Sequence, residues 1–568
     1  MFPARRLASA EGARRRLGQY HTGEFMSDTV IRDPARGARH AAHHPLHSSG
    51  LPGWFQQIFP LITIGVLVAG GIFVGYSILN DLANAPPTAT LVYLLLAFAL
   101  LIALGFEFVN GFHDTANAVA TVIYTHSLPA NFAVIWSGCF NFLGVLTSSG
   151  AVAFGIISLL PVELILQVGS SAGFAMVFAL LIAAIIWNVG TWWFGIPNSS
   201  SHALVGSIIG VGLMNQLMAP AGSGTSGVDW AQATNIGKSL LFSPLAGFFA
   251  AAALLLVCKA LIRVPALYKA PVGNKAPPWY IRGLLILTCT GVSFAHGSND
   301  GQKGMGLIML ILIGTIPTTY ALNKALPDNE VAVFVKASSA ASAAIESKAA
   351  GYNVLGNPRP AVTAYVSQHK INEGTYPSLA VLVTEISKQA QQYGSLAKIP
   401  SDVVGNTRND MYLTSEAVRF LMKDKEAELS AAEVKALNDY KAELDKATKF
   451  IPTWVKVAVA IALGLGTMIG WKRIVVTVDE KIGKEHLTYA QGASAEIVAF
   501  GLIQAADGYG LPVSTTHVLS SGVAGTMAAN KSGLQLSTVR NLALAWITTL
   551  PAAILLSGSL FYLFSHLF

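Results

Sequence analysis

Gly111-Phe112-His113-Asp114-Thr115-Ala116-Asn117-Ala118 closes an apolar run in which a membrane helix holds nothing polar without a reason. Around it Glu107, Asn110, Asp114, Asn117 and Thr121 recur at offsets of 0, 3, 7, 10 and 14 residues. At about 100° per residue these five share one helical face. Two carboxylates on such a stripe cost on the order of several kcal/mol at membrane depth unless the stripe lines a protein-enclosed or watery cavity. The stripe therefore marks a transport site.

The composition sets this stretch in a membrane. Of 568 residues, 53% are hydrophobic and only 12% charged, against about 25% charged in soluble domains. Apolar runs of spanning length recur, among them Leu61 to Leu79, Leu91 to Phe106, Phe174 to Trp193, Leu240 to Ile262 and Leu542 to Phe564. The expected fold class is an all-α polytopic membrane protein with about eleven or twelve transmembrane segments, several short or broken by glycine. The lipid bilayer is thus a partner. The net charge of +7 does not point to nucleic acid, because the basic residues sit in a few loops and none occurs from His40 to Gly237. Cys139, Cys258 and Cys289 lie singly in apolar stretches, so buried free thiols are expected, with no disulfide framework, metal site or cofactor. A homo-oligomer is compatible with the sequence, which specifies none.

Residues 1–50 carry eight Arg against four acids and have no apolar h-region, which reads as a disordered cytoplasmic tail and not a secretory signal. Residues 51–90 supply an additional first transmembrane helix. The loop at 80–90 has no basic residue and the loop at 263–282 has four with no acid, so the first belongs outside and the second inside. An odd number of crossings then separates them, which would invert a second copy of the same unit.

That copy is visible. His296-Gly297-Ser298-Asn299-Asp300-Gly301-Gln302-Lys303 repeats the opening stretch, with Gly111 matching Gly297 and Asp114 matching Asp300. Pro197-Asn198-Ser199-Ser200-Ser201-His202 is repeated by Pro512-Val513-Ser514-Thr515-Thr516-His517. Asp114 precedes Ser199 by 85 residues, whereas Asp300 precedes Ser514 by 214, an excess of 129. The excess is nearly the size of the one hydrophilic stretch, 321–450, whose later part, Glu416 to Lys449, reads as amphipathic helix. The domains expected are a membrane repeat at 91–262, a cytoplasmic linker at 263–282, a second repeat at 283–320 and 451–568, and a helical insertion at 321–450. The positive-inside rule, applied at both ends of the insertion, puts it outside.

Two inverted repeats with broken helices form a transporter architecture, with substrate held where the halves meet. In each Pro-x-Ser-Ser/Thr-Ser/Thr-His element, Pro near a helix start fixes φ and a hydroxyl can cap exposed amides. Two such helix starts facing each other suit a multiply charged oxyanion. Asp114 and Asp300 alone would repel it. They make sense if each takes a proton or cation while substrate is bound, as a symporter requires, and desolvation favours the proton. Lys303 either neutralises Asp300 or contacts the anion; its counterpart is Asn117, so the two sites are unequal. His202 and His517 either relay protons or bond the broken backbone. Asn141 is expected to make an interhelical hydrogen bond. His113 lies about 100° from Asp114 on the helix and is not paired with it.

These four motifs, read here as GFHDTANA, GSNDGQKGMG, PNSSSH and PVSTTH, resemble those of the inorganic phosphate transporter (PiT) family, its bacterial low-affinity branch in particular. The resemblance covers nearly all of residues 91–320 and 451–568. It implies a secondary active symporter in a bacterial inner membrane that takes up inorganic phosphate, alone or as a neutral complex with a divalent metal. It implies that Asp114, Asn117 and Asp300 form the cation and phosphate site and that Ser199, Ser200, Thr515 and Thr516 hold phosphate. Ser201, Ser514, Gln302 and Lys303 complete the candidate phosphate set, and His202 and His517 join Asp114 and Asp300 in coupling. Gln302-Lys303 departs from the family's sodium-type pattern and favours H+ as the coupling ion. The nearest rival is a sulfate permease of the same fold. Sulfate accepts no proton, so its site needs donors only, and the carboxylates favour phosphate. An intramembrane hydrolase would need one catalytic Ser, whereas the whole cluster is duplicated.

Overall fold

The computed structural model describes residues 53–83, 89–160, 162–166, 170–220, 227–271, 273, 275–349, 354, 356–471, 474–475 and 482–567; the side chains of 53–56, 112, 114–117, 162 and 163 are outside that description. The expectations for the 1–50 tail and for the side chains of Asp114 and Asn117 therefore lie outside the described residues. Repeat one follows the helix α1 (Gly53–Leu82) and comprises α2 (Thr90–Tyr124), α3 (Ala130–Thr147), the short α4 (Ala151–Ile157) and α5 (Val162–Leu166), α6 (Ser171–Trp193), α7 (Ser200–Met218) and α8 (Trp230–Leu261). Then come α9 (Trp279–Thr315) and α10 (Pro317–Tyr320). The hydrophilic stretch folds as α11 (Glu330–Glu346), α12 (Arg359–Gln368), α13 (Thr375–Tyr393), α14 (Val404–Leu421) and α15 (Ala431–Thr448). The chain ends with α16 (Thr453–Met468), α17 (Tyr489–Gly508), α18 (Thr515–Asn530) and α19 (Leu536–Leu567). No strand occurs among the described residues, and the protein is all-α.

Among the described residues, six helical stretches are long and apolar enough to cross a membrane unaided: Gln57–Leu82, Thr90–Gly111, Ala130–Thr147, Ser171–Trp193, Trp230–Leu261 and Leu536–Leu567. The other helices of the two repeats fall short for a reason. α9 carries Arg282, Asp300 and Lys303 within its length, and α7 and α18 begin at the Ser/Thr motifs, so each is a part-helix.

The two halves interlock. α2 packs on α16 as α9 packs on α3; α8 packs on α18 as α19 packs on α7; α2 meets α6 as α9 meets α17. Each contact recurs with the repeats exchanged, as in a self-complementary two-fold interface. The motif glycines make this possible. A methyl on Gly297 would fall inside contact distance of the Asn141 carbonyl on α3, and one on Gly111 would lie 2.5 Å from the Leu463 carbonyl on α16. Small residues at these points let the backbones touch.

The insertion is a helical bundle in which α11 packs on α13 and α15, and α14 packs on α12 and α15. The single amphipathic helix expected from Glu416 to Lys449 is in fact two. α14 ends at Leu421, Glu428 takes φ of 45°, and Ser430 starts α15 through a capping box with Glu433. Serine followed three residues later by glutamate offers the backbone a helix start that continuous amphipathicity hides. The bundle is tied down by Arg419, whose Nη2 lies 2.8 Å from Asp229 Oδ2; Asp229 in turn caps α8 by accepting from the Gln232 amide. All three thiols are free, but only Cys289 is buried as expected; Cys258 is half-buried and Cys139 is exposed on α3. An apolar surface costs nothing facing lipid, so Cys139 needs no core.

Gly297→Ala should lower the unfolding midpoint in detergent by an amount equivalent to about 1–3 kcal/mol, the cost of overpacking a tight contact. Gly283→Ala on the same helix, where an added methyl meets open space, should leave the midpoint unchanged. Equal midpoints for the two variants would show that α9 and α3 do not depend on this approach.

Candidate functional site

The site starts from two glycines. Gly195 (φ 64°) and Gly510 (φ 65°) turn the chain out of α6 and α17 through the left-handed region, which a Cβ disfavours. Pro197 and Pro512 follow, and the backbone stays extended to Ser199 and Ser514. Each of these serines then caps a helix: Ser199 Oγ accepts from the His202 amide and Ser514 Oγ from the His517 amide. Both copies of the motif thus follow the end of one helix, run extended and restart another in the interior, leaving amides of the first turn without carbonyl partners.

The helix starts meet. Ser201 donates its hydroxyl to Val513 O at 2.7 Å, and the His202 and His517 rings lie 4.7 Å apart. His517 stacks in turn on Trp546, and His202 Nδ1 lies 2.8 Å from Ser199 Oγ. α9 is stitched to both elements. Asn299 Nδ2 donates to Leu511 O and its Oδ1 accepts from the Val513 amide, while Ser200 Oγ reaches Asp300 Oδ2 at 3.4 Å.

Asp300 and Lys303 sit at this junction, 1% and 0% exposed, with Nζ 2.8 Å from Oδ2. His296 Nε2 lies 3.4 Å from the same oxygen. Its other nitrogen is 2.7 Å from Asn141 Oδ1, and Asn141 Nδ2 donates to Thr467 Oγ1. This gives Asn141 its interhelical bond and fixes the imidazole between α3, α9 and α16. Asp300 Oδ1 and Thr515 Oγ1 are buried and make no hydrogen bond among the described residues. Apart from its pairing with Asp300, the Lys303 ammonium makes no hydrogen bond among the described residues, and the buried Glu107 carboxyl lies near enough to interact with its charge.

Other predicted residues are committed within the protein. Gln302 donates from Nε2 to Ser298 O and to Asp507, and its Oε1 accepts from the Val152 amide. It joins α9 to α17 and α4. His113 Nε2 lies 2.7 Å from Asn188 O on α6. Glu107 accepts from Asn110 Nδ2 and packs against Gly304 on α9.

Two residues escaped sequence reasoning. His296 occupies the offset four before Asp300 that Asn110 occupies before Asp114, so the repeat itself held the signal. Asp507 accepts from Ser298 Oγ at 2.6 Å; its counterpart position near Gly195 is Trp192, so symmetry could not reveal it.

A model described as the phosphate transporter family matches residues 110–557. The chain is 43% identical over 493 residues to the low-affinity inorganic phosphate transporter PitA of Escherichia coli, covering 83% of this chain and 96% of that protein. It is 26% identical over 467 residues to the probable low-affinity inorganic phosphate transporter of Bacillus subtilis, covering 82% and 96%. A solved structure described as the sodium-dependent phosphate transporter is 18% identical, with a TM-score of 0.46 over 84% of this chain and all of that one.

Lys303→Met strands a buried carboxylate and should destabilise the protein by about 3–5 kcal/mol. Asp300→Asn/Lys303→Met should recover most of that stability while still failing to transport. Unfolding midpoints in detergent measure the first effect and uptake the second. A double variant as unstable as the single would mean the ion pair does not hold α9 in place.

Proposed function

The chain belongs to the phosphate transporter family, and on that premise we propose that it carries inorganic phosphate across a bacterial inner membrane in symport with protons. It is a membrane transporter and not an enzyme. The observation that carries the reading is the buried junction of Asp300 and Lys303 with two helix N-termini, where Lys303 offers unspent donors and Asp300 Oδ1 an unspent acceptor. Hydrogen phosphate brings both acceptor oxygens and a donor hydroxyl. Sulfate brings acceptors only and would leave Oδ1 unsatisfied, at a cost of about 1–3 kcal/mol.

The coupling follows from charge. An ammonium, two positive helix ends and one carboxylate attract a dianion. A proton taken by a site aspartate with the substrate reduces the net charge that must move through the closed state. Interlocked halves provide the moving parts, since rocking one set of paired helices against the other exposes the shared site alternately to each side. Ser201, Asn299 and Ser200 link the two helix starts to α9, so both repeats sense the same occupant.

Labelled phosphate should accumulate in proteoliposomes under an inward proton gradient. A sodium gradient alone should not drive it, and sulfate should compete poorly. Asp114→Asn and Asp300→Asn should each abolish accumulation while the protein still inserts. Sulfate uptake without phosphate competition would replace phosphate as substrate. Rates indifferent to the pH gradient would remove proton symport, and magnesium-dependent uptake would identify a metal–phosphate complex as the cargo. Separately, the insertion is proposed to face outward, so a membrane-impermeant maleimide should label Lys435→Cys from outside intact cells.

A further inference from the structure

A cavity of about 610 Å³ lies between the insertion and the membrane repeats. Its lining includes Gly510 and Leu511, the residues immediately before the second Pro-x-Ser-Thr-Thr-His element. Leu511 is held by Asn299, the neighbour of Asp300. The cavity therefore lies one layer of chain away from the buried ion pair.

Its charged lining has a pattern. Arg419 is held by Glu416 at 2.6 Å and by Asp229, and Lys449 by Asp445 at 2.9 Å. These acids offset these bases. Two lysines remain: Lys238 on α8, from the membrane part, and Lys423 just beyond α14, from the insertion. Both are exposed, and neither makes an ion pair or side-chain hydrogen bond among the described residues. Lysines of separate origin that line one concave space walled by low-dielectric protein focus a positive field.

We infer that this cavity is a vestibule in which Lys238 and Lys423 collect oxyanions ahead of the transport site, so that the insertion serves as an electrostatic funnel. The inference rests on the phosphate reading above and extends it to a second, low-affinity anion site. A funnel of this kind raises the local anion concentration and the rate of encounter, and salt screens it over roughly 8 Å at physiological ionic strength. It does not alter the chemistry at Asp300. Arg419 would act differently, since removing it would leave Glu416 and Asp229 without their cation.

In proteoliposomes, Lys238→Gln/Lys423→Gln should raise KM for phosphate by about threefold or more with unchanged maximal rate. The same variant should flatten the dependence of uptake on ionic strength. Lys238→Glu/Lys423→Glu should raise KM further. A readout without transport comes from Asn235→Cys, which lines the same cavity, in a chain with Cys139, Cys258 and Cys289 replaced by Ala. Inorganic phosphate should slow its reaction with an anionic thiol reagent while both lysines are present, and should have no effect once both are Gln. Wild-type KM and salt dependence in the double variants, or no protection by phosphate at position 235, would overturn the vestibule. Protection without any uptake by the wild type would leave the vestibule standing and overturn the transport reading instead.

Discussion

A carboxylate and an ammonium one helical turn apart, both sealed from solvent, set the terms for everything around them. Asp300 and Lys303 would each cost several kcal/mol if buried singly, on the order expected for an uncompensated interior charge, and together they still leave Asp300 Oδ1 without a hydrogen bond among the described residues. Ser200, His296 and the two helix starts are gathered on this pair. Apolar replacements of buried ion pairs are often no less stable, so the charge retained here accords with the ligand role proposed for it.

The broken helices follow from the same need. A continuous helix satisfies its own amides and offers an anion nothing, whereas a helix that restarts inside the protein points unspent N–H groups and a positive dipole end inward. Breaking a span strands polar backbone in an apolar setting. Gly195 and Gly510 turn the chain, Ser199 and Ser514 cap the restart, and Asn299 bonds the extended strand at Leu511 and Val513. The repeats are nevertheless unequal. Val513 stands where repeat one has Asn198, which bonds Asn188 and Thr549, and Lys303 stands where repeat one has Asn117. One half is thereby anchored through side chains to α6 and α19, and the other carries the fixed charge.

Much of this was legible in residues alone because duplication repeats its signals. Four polar motifs in matched order announce two copies of a membrane unit, and the excess of 129 residues isolates the insertion. Where a feature lacks a copy, the sequence is silent. Asp507 has Trp192 as its counterpart, and the break between α14 and α15 depends on a cap buried in an unbroken amphipathic pattern. Gln302 stands in the candidate phosphate set, and only the structure shows that its groups also serve Val152, Ser298 and Asp507. A side chain's type states what it can bond, while its neighbours decide what it does bond.

The sequence by itself determined that this is an all-helical membrane protein of two related halves, with paired Asp and Ser/Thr elements and a hydrophilic insertion in the second half. Those properties are carried by hydropathy and spacing, which are local. Only the tertiary structure decided that the halves exchange partners, that Asp300 meets Ser200 from the other repeat, and that Lys238 and Lys423 line one cavity. These are contacts between residues about 100 or more positions apart, set by which glycine faces let helices close and by where the insertion is pinned at Asp229.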